Sequence, residues 1–170
     1  LFRSATPVRW FWICLTGFSL LVLEVGAVAH LREFGGGPDL LLLFAVFLSL
    51  YGPVEDAPLS GWLLGIAKDS LSAGTFGLFA VIFMVLSFVL SRIRADIFTE
   101  YNKSHVVNAG ITTLAAYGAA AFWHRLNGAG LAPLAWKILG TSLWNAALAP
   151  AAFWGFFKFS RQHETHRRSR

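Results

Sequence analysis

Five histidines, nine carboxylates and one cysteine, Cys14, are what this 170-residue chain offers for acid–base, nucleophilic or metal chemistry. An enzyme must gather a nucleophile, a base and electrophilic donors in one place. His30, His105 and His124 instead fall at the ends of apolar segments, and His163 and His166 sit in a basic tail. Two histidines at His163-x2-His166 are half of a closed zinc set. The chain has no glycine-rich phosphate loop followed by Lys and Ser or Thr, no His-Glu-x2-His and no Gly-x-Ser-x-Gly. No catalytic, cofactor or metal residue is assigned, and an enzyme is not expected. A single cysteine permits no intrachain disulfide.

Two carboxylates stand apart because they interrupt apolar sequence. Glu24 lies past the middle of the first apolar segment, where an unpaired charge in a bilayer costs about 2.5–3.5 kcal/mol on insertion scales. It must face protein, take a proton or sit in a wet cavity, as a hydrogen-bond partner or as a contact for a ligand or partner. Asp69 closes the stretch Gly61-x3-Gly65-x3-Asp69-x2-Ser72, which continues to Gly77. At about 100° per residue, Gly61, Gly65, Asp69 and Ser72 fall at roughly 0°, 40°, 80° and 20°, on one narrow helix face. Glycines four apart let a second helix approach closely. That helix belongs either to this chain, the reading favoured here, or to a partner. Asp69 is expected to hold the following turn by accepting hydrogen bonds from the backbone of 70–74 or from Ser72, with Lys68 snorkelling outward. Further along, His105, Asn108 and Thr112 recur at i, i+3, i+7 beside the small residues Ala109, Thr113, Ala116 and Ala120, and Asn145 stands five residues before Pro150. Both stripes suit internal packing, or else binding of a ligand or partner.

These residues need a scaffold, and the composition says which solvent it meets. The chain is 56% hydrophobic and only 14% charged, with a mean hydropathy of +0.59. Soluble domains carry about 25% charged residues, so a bilayer is the expected environment. The net charge of +5 would suit a nucleic-acid binder, but Arg161, Arg167, Arg168 and Arg170 crowd the last ten residues while long stretches upstream are nearly charge-free. Such a distribution reads as a cytoplasmic flank, with no nucleic-acid partner.

Crossing about 30 Å of hydrocarbon takes about 20 helical residues. By that measure residues 1–160 form one all-α transmembrane domain, a six-helix bundle with spans at roughly 10–31, 39–52, 59–71, 76–91, 104–123 and 134–159. Residues 161–170 form a basic cytoplasmic tail, with 159–170 expected to be disordered or to skim the membrane. The second and third runs are short and bracket an acidic link between Pro53 and Pro58, so they suit a hairpin packed within the bundle. Merging them gives a five-span alternative. The first run has the basic flank and the Ala27-Val28-Ala29 site of a secretory signal, but it stays apolar through Leu31, which favours a retained span. The chain starts at Leu1 rather than Met, so upstream residues are expected. Thr75 is expected to cap the fourth span. Six spans put both termini on one side, and that side carries ten of the fourteen lysines and arginines, so both termini are expected in the cytoplasm.

With those residues in view, the chain resembles the bacterial rod shape-determining MreD family. The resemblance runs from Val8-Arg9-Trp10 through Pro38-Asp39, the Gly61–Gly77 stretch and the Asn145-x4-Pro150 pair to the basic end. It departs at Ala73-Gly74, where relatives often have glycine directly after the serine. It implies a multi-pass protein of the bacterial inner membrane whose fold is similar to the substrate-binding subunits of energy-coupling-factor transporters. It implies no catalysis and no cofactor. Proteins of this kind work in the cell-elongation machinery, beside the single-span protein MreC, the glycosyltransferase RodA and its transpeptidase partner, in support of peptidoglycan synthesis. The helix-packing or partner-interface candidates are Gly61, Gly65, Asp69, Ser72, Gly77, Glu24, Asn108, Thr112 and Asn145. A different class of function, a small-molecule-binding subunit of a membrane transporter, would instead need polar groups converging on an enclosed pocket.

Overall fold

A computed structural model describes residues 6–26, 36–72, 75–94, 102–128 and 132–168, all of them helix or short connection. Among the described residues there are six helices, α1 (Thr6–Gly26), α2 (Leu40–Tyr51), α3 (Ala57–Asp69), α4 (Leu78–Ile93), α5 (Asn102–Leu126) and α6 (Ala132–Arg168). They fall on the six apolar segments. The link of Gly52 to Asp56 separates α2 from α3 as two helices. Residues 27–31, expected to continue the first helix, lie outside the described residues.

A helix that is apolar on every side has to be buried on every side, and α2 is the case here. Each residue from Leu41 to Leu50 is buried, and α2 contacts all five other helices. Around it α1 touches α3, α3 touches α4, α4 touches α5 and α5 touches α6, while α1 and α6 do not meet among the described residues. One end of α2 is fixed by rings. Phe47 packs its ring against Tyr51, Phe153, Phe156 and Phe157 at centroid distances of 5.0–5.7 Å. The Arg94 guanidinium donates to the Gly52 carbonyl at 2.5 Å, satisfying an acceptor that the helix end leaves open.

The glycine face of α3 lies against α4. A Cβ on Gly61 would come within 2.6 Å of the Phe83 carbonyl oxygen, and one on Gly65 within 2.5 Å of Phe79 O and 2.7 Å of Ala80 N. Their backbones therefore approach in a way no larger residue permits.

Two expectations are corrected. The helix α6 continues to Arg168 instead of giving way to a disordered tail; no glycine or proline follows Gly155 to stop it. Gly77, not Thr75, is the cap of α4, because the chain enters that helix at φ +94°, a left-handed conformation natural to glycine. Among the described residues only 106–126 of α5 is long and apolar enough by itself to cross a membrane. At 1.5 Å per residue α2 reaches about 18 Å and α4 about 24 Å, and α6, though long, carries Lys137, Thr141 and Asn145 along its length.

Candidate functional site

At the N-terminus of α2 the chain gathers the polar groups that its apolar helices carry. Asp39 caps α2: its Oδ1 accepts from the Leu42 N–H at 3.0 Å, and its own N–H donates to Asn145 Oδ1 at 2.7 Å. Its other oxygen accepts from the Tyr117 hydroxyl at 2.6 Å and lies 2.9 Å from Lys68 Nζ. The same ammonium lies 2.5 Å from Glu24 Oε1. Glu24 Oε2 takes the Leu41 N–H at 3.4 Å, and Asn145 Nδ2 donates to Thr113 Oγ1 at 2.9 Å, whose hydroxyl donates to the Ala109 carbonyl at 2.6 Å. One connected network thus ties α1, α2, α3, α5 and α6.

The burial of this network gives it its energetic weight. Glu24, Asp39 and Asn145 are fully buried and Lys68 is 4% exposed. Removing a charge from water costs several kcal/mol, offset only where the geometry is good and the remaining lone pairs find donors. Here two carboxylates share one ammonium, and the first turn of α2 presents its unpaired N–H groups and positive dipole end to both. Lys68 also sits 6.0 Å from the Tyr117 ring centroid. The expectation that Lys68 snorkels outward is overturned: a fully buried Glu24 and Asp39 attract it inward.

Asp69, one residue on, does a separate task. Its carboxylate accepts from the N–H groups of Gly77 (3.0 Å), Phe79 (3.0 Å) and Ala80 (2.9 Å), satisfying the start of α4. Of the expected donors, those at 70–72 are not the ones the side chain uses, and 73–74 lie outside the described residues. Ser72 meets the Asp69 backbone carbonyl through its N–H at 3.1 Å and its hydroxyl at 3.2 Å. Asp69 therefore holds the same α3–α4 contact that the glycine face makes possible.

Of the candidate residues, the structure brings Glu24 and Asn145 into the network and Gly61, Gly65, Asp69, Ser72 and Gly77 into the α3–α4 joint. Thr112 is buried, beside Ser49 and Ser87 in a cleft also lined by Leu42, Phe83 and Leu86. Asn108 is half-buried and belongs to neither group; its Nδ2 has no hydrogen-bond partner among the described residues. Sequence reasoning did not assign Asp39, Lys68, Thr113 and Tyr117 to the network. Lys68 was accessible by charge balance, since it is a cation within an apolar segment and Glu24 an anion within another. Nothing in the spacing reveals Thr113 or Tyr117 as its partners. No metal-holding group of His, Cys, Asp or Glu occurs among the described residues.

Polarity is inverted relative to a water-soluble domain, with ionised groups inside and large apolar side chains outside. Phe11 and Phe18 on α1, Phe88 on α4, Phe122 on α5 and Leu143 and Trp154 on α6 are 45–74% exposed. This is the build of a membrane-associated helical protein with a buried polar centre. The family model of rod shape-determining protein MreD matches residues 5–154, and the chain belongs to that family. The protein therefore has a role in rod shape determination; its family is a membrane-associated structural component and not a known enzyme family. No curated protein matches the chain, nor does any solved structure, so the expected likeness to energy-coupling-factor subunits finds no support.

Proposed function

We propose that the chain is a non-catalytic, six-pass scaffold of the bacterial inner membrane, with both termini cytoplasmic, that binds MreC and supports peptidoglycan synthesis beside RodA and its transpeptidase partner. The observation that carries this reading is the inverted polarity of a chain in the MreD family: buried Glu24, Asp39 and Lys68 within an apolar exterior. Short helices fit such a bundle because α2 is enclosed by its neighbours and α3 packs one face against α4, so neither has to span the bilayer alone. The irregular segment of Gly36 to Asp39 is buried against protein, which is where non-helical backbone is tolerated at membrane depth. A vitamin-binding pocket is less well supported, since the network's polar groups are directed at one another.

Co-purification tests the proposal. Tagged chain solubilised from membranes in mild detergent should retain MreC. Retention of an ATPase module in its place, or release of the chain from membranes by alkaline carbonate, would refute the scaffold reading.

A further inference from the structure

The helix α5 carries two polar side chains that the buried network does not use. Asn108 is half-buried, and its Nδ2, covered by neighbouring atoms, has no acceptor among the described residues. One turn on, Thr112 is 7% exposed and its hydroxyl makes no hydrogen bond among the described residues, whereas that of adjacent Thr113 donates to the Ala109 carbonyl. An amide and a hydroxyl left unpaired in an apolar medium are costly, and a partner bringing matching groups recovers that cost.

Both residues stand at the seam between α4 and α5. Thr112 lines a cleft of about 170 Å³ with Leu86 and Leu90 of α4, over Val46 and Ser49 of α2. By helical register Ala115, Asn108, Ala119 and Thr112 fall within about 60° of one another on α5. Ala115 and Ala119 are exposed, so this stripe runs from the open surface into the cleft. Small exposed residues let a second helix come close. Exposed Val89 of α4 and Ile111 of α5 supply apolar contacts on the two banks.

Depth in the membrane selects the occupant. Trp136 and Trp154 are 69% and 67% exposed and five full helical turns apart on α6, about 27 Å, which suits the two interfacial belts of a bilayer. Asn145 is nine residues from each, and its bond to Thr113 sets Thr112 near mid-depth. Lipids carry their hydrogen-bonding groups at the interfaces, so the acyl chains beside Thr112 offer none. A transmembrane helix carries polar side chains at any depth, and one helix about 10 Å wide fills such a seam. A second copy of this chain is a poorer match. Among the described residues, the hydroxyl or amide exposed in the middle of a helix is that of Ser19, which already donates to the Leu15 carbonyl at 2.9 Å.

We infer that the α4–α5 seam seats the transmembrane helix of the scaffold's single-span partner, gripped by Asn108 and Thr112 through a hydroxyl or amide side chain that this helix carries within the bilayer. The inference rests on the scaffold reading above and gives its partner a place.

The test uses the full chain, tagged and co-expressed with MreC, solubilised in mild detergent, with the MreC retained per chain measured over a dilution series. Asn108→Leu combined with Thr112→Val should weaken retention by about three- to thirtyfold, the range set by hydrogen bonds between membrane helices. The same variant, isolated, should melt at or above the wild-type temperature, because the groups removed had no partner within the chain. Ala115→Phe, which crowds the exposed rim of the seam, should also weaken retention, and Ala151→Phe, at an exposed position of α6, should not. Undiminished retention in either seam variant, equal weakening by Ala151→Phe, or a double variant that melts below wild type would overturn the inference. A wild type that retains MreC while the seam variants retain it equally fails this inference alone, whereas a wild type that retains none fails the scaffold reading as well.

Discussion

Lys68→Met removes the ammonium held between Glu24 and Asp39 and leaves a side chain of similar length in its place. Packing changes little, so the loss is electrostatic. Both carboxylates are fully buried, at 2.5 and 2.9 Å from the nitrogen, and breaking a buried pair by deleting one partner typically costs about 3–5 kcal/mol. For a chain of this size each kcal/mol moves the midpoint by about 2–4 °C, so Tm should fall by roughly 6–20 °C. Tryptophan fluorescence of the purified chain in detergent reads this directly. A second variant, Glu24→Gln with Lys68→Met, also removes one of the two charges that faced the ammonium, and its loss should be smaller than the sum of the two single losses by about 0.5–3 kcal/mol. A Lys68→Met protein melting within a degree of wild type, or strict additivity in the double variant, would refute the account of the network.

The remaining predictions concern the joint, the hub and the topology. Gly65→Ala, ordinarily favourable within a helix by roughly 0.5–1 kcal/mol, should here destabilise by about 1–3 kcal/mol, because the added methyl meets the Phe79–Ala80 backbone; thermal unfolding and yield decide, and a stabilised variant would contradict the close approach. Asp69→Leu strands three N–H groups at the start of α4 and should lower stability by at least about 2 kcal/mol, with Asp69→Asn falling between it and wild type in the same melt. Asn145→Leu leaves the buried Asp39 N–H without its acceptor, a loss of about 1–3 kcal/mol in chemical or thermal unfolding. In a Cys14→Ser background, Ser169→Cys should resist an impermeant thiol reagent applied to the outer face of intact cells; reaction there would invert the topology.

Local rules decide what neighbouring residues in the chain can settle. The positions of six helices follow from apolar runs broken at Gly35–Pro38, Pro53 and Asn127–Gly128, because those breaks act on the backbone within a few residues. The shared face of Gly61, Gly65, Asp69 and Ser72 follows from helical period alone, and so does the need of Glu24 for a partner. Which helix fills the glycine face could be reasoned only as far as an internal or external neighbour. Tertiary structure decided that α4 does, that Asp69 reaches Gly77, Phe79 and Ala80 across the turn, and that α2 is the enclosed centre. It also turned Lys68 inward. The choice between snorkelling and burial depends on where Glu24 and Asp39 stand, and those residues are 44 and 29 positions away in the chain. Tyr117 and Asn145 lie farther still, and side chains of such ordinary types acquire a role only when the packing of five helices sets their donors and acceptors within 3 Å of one another.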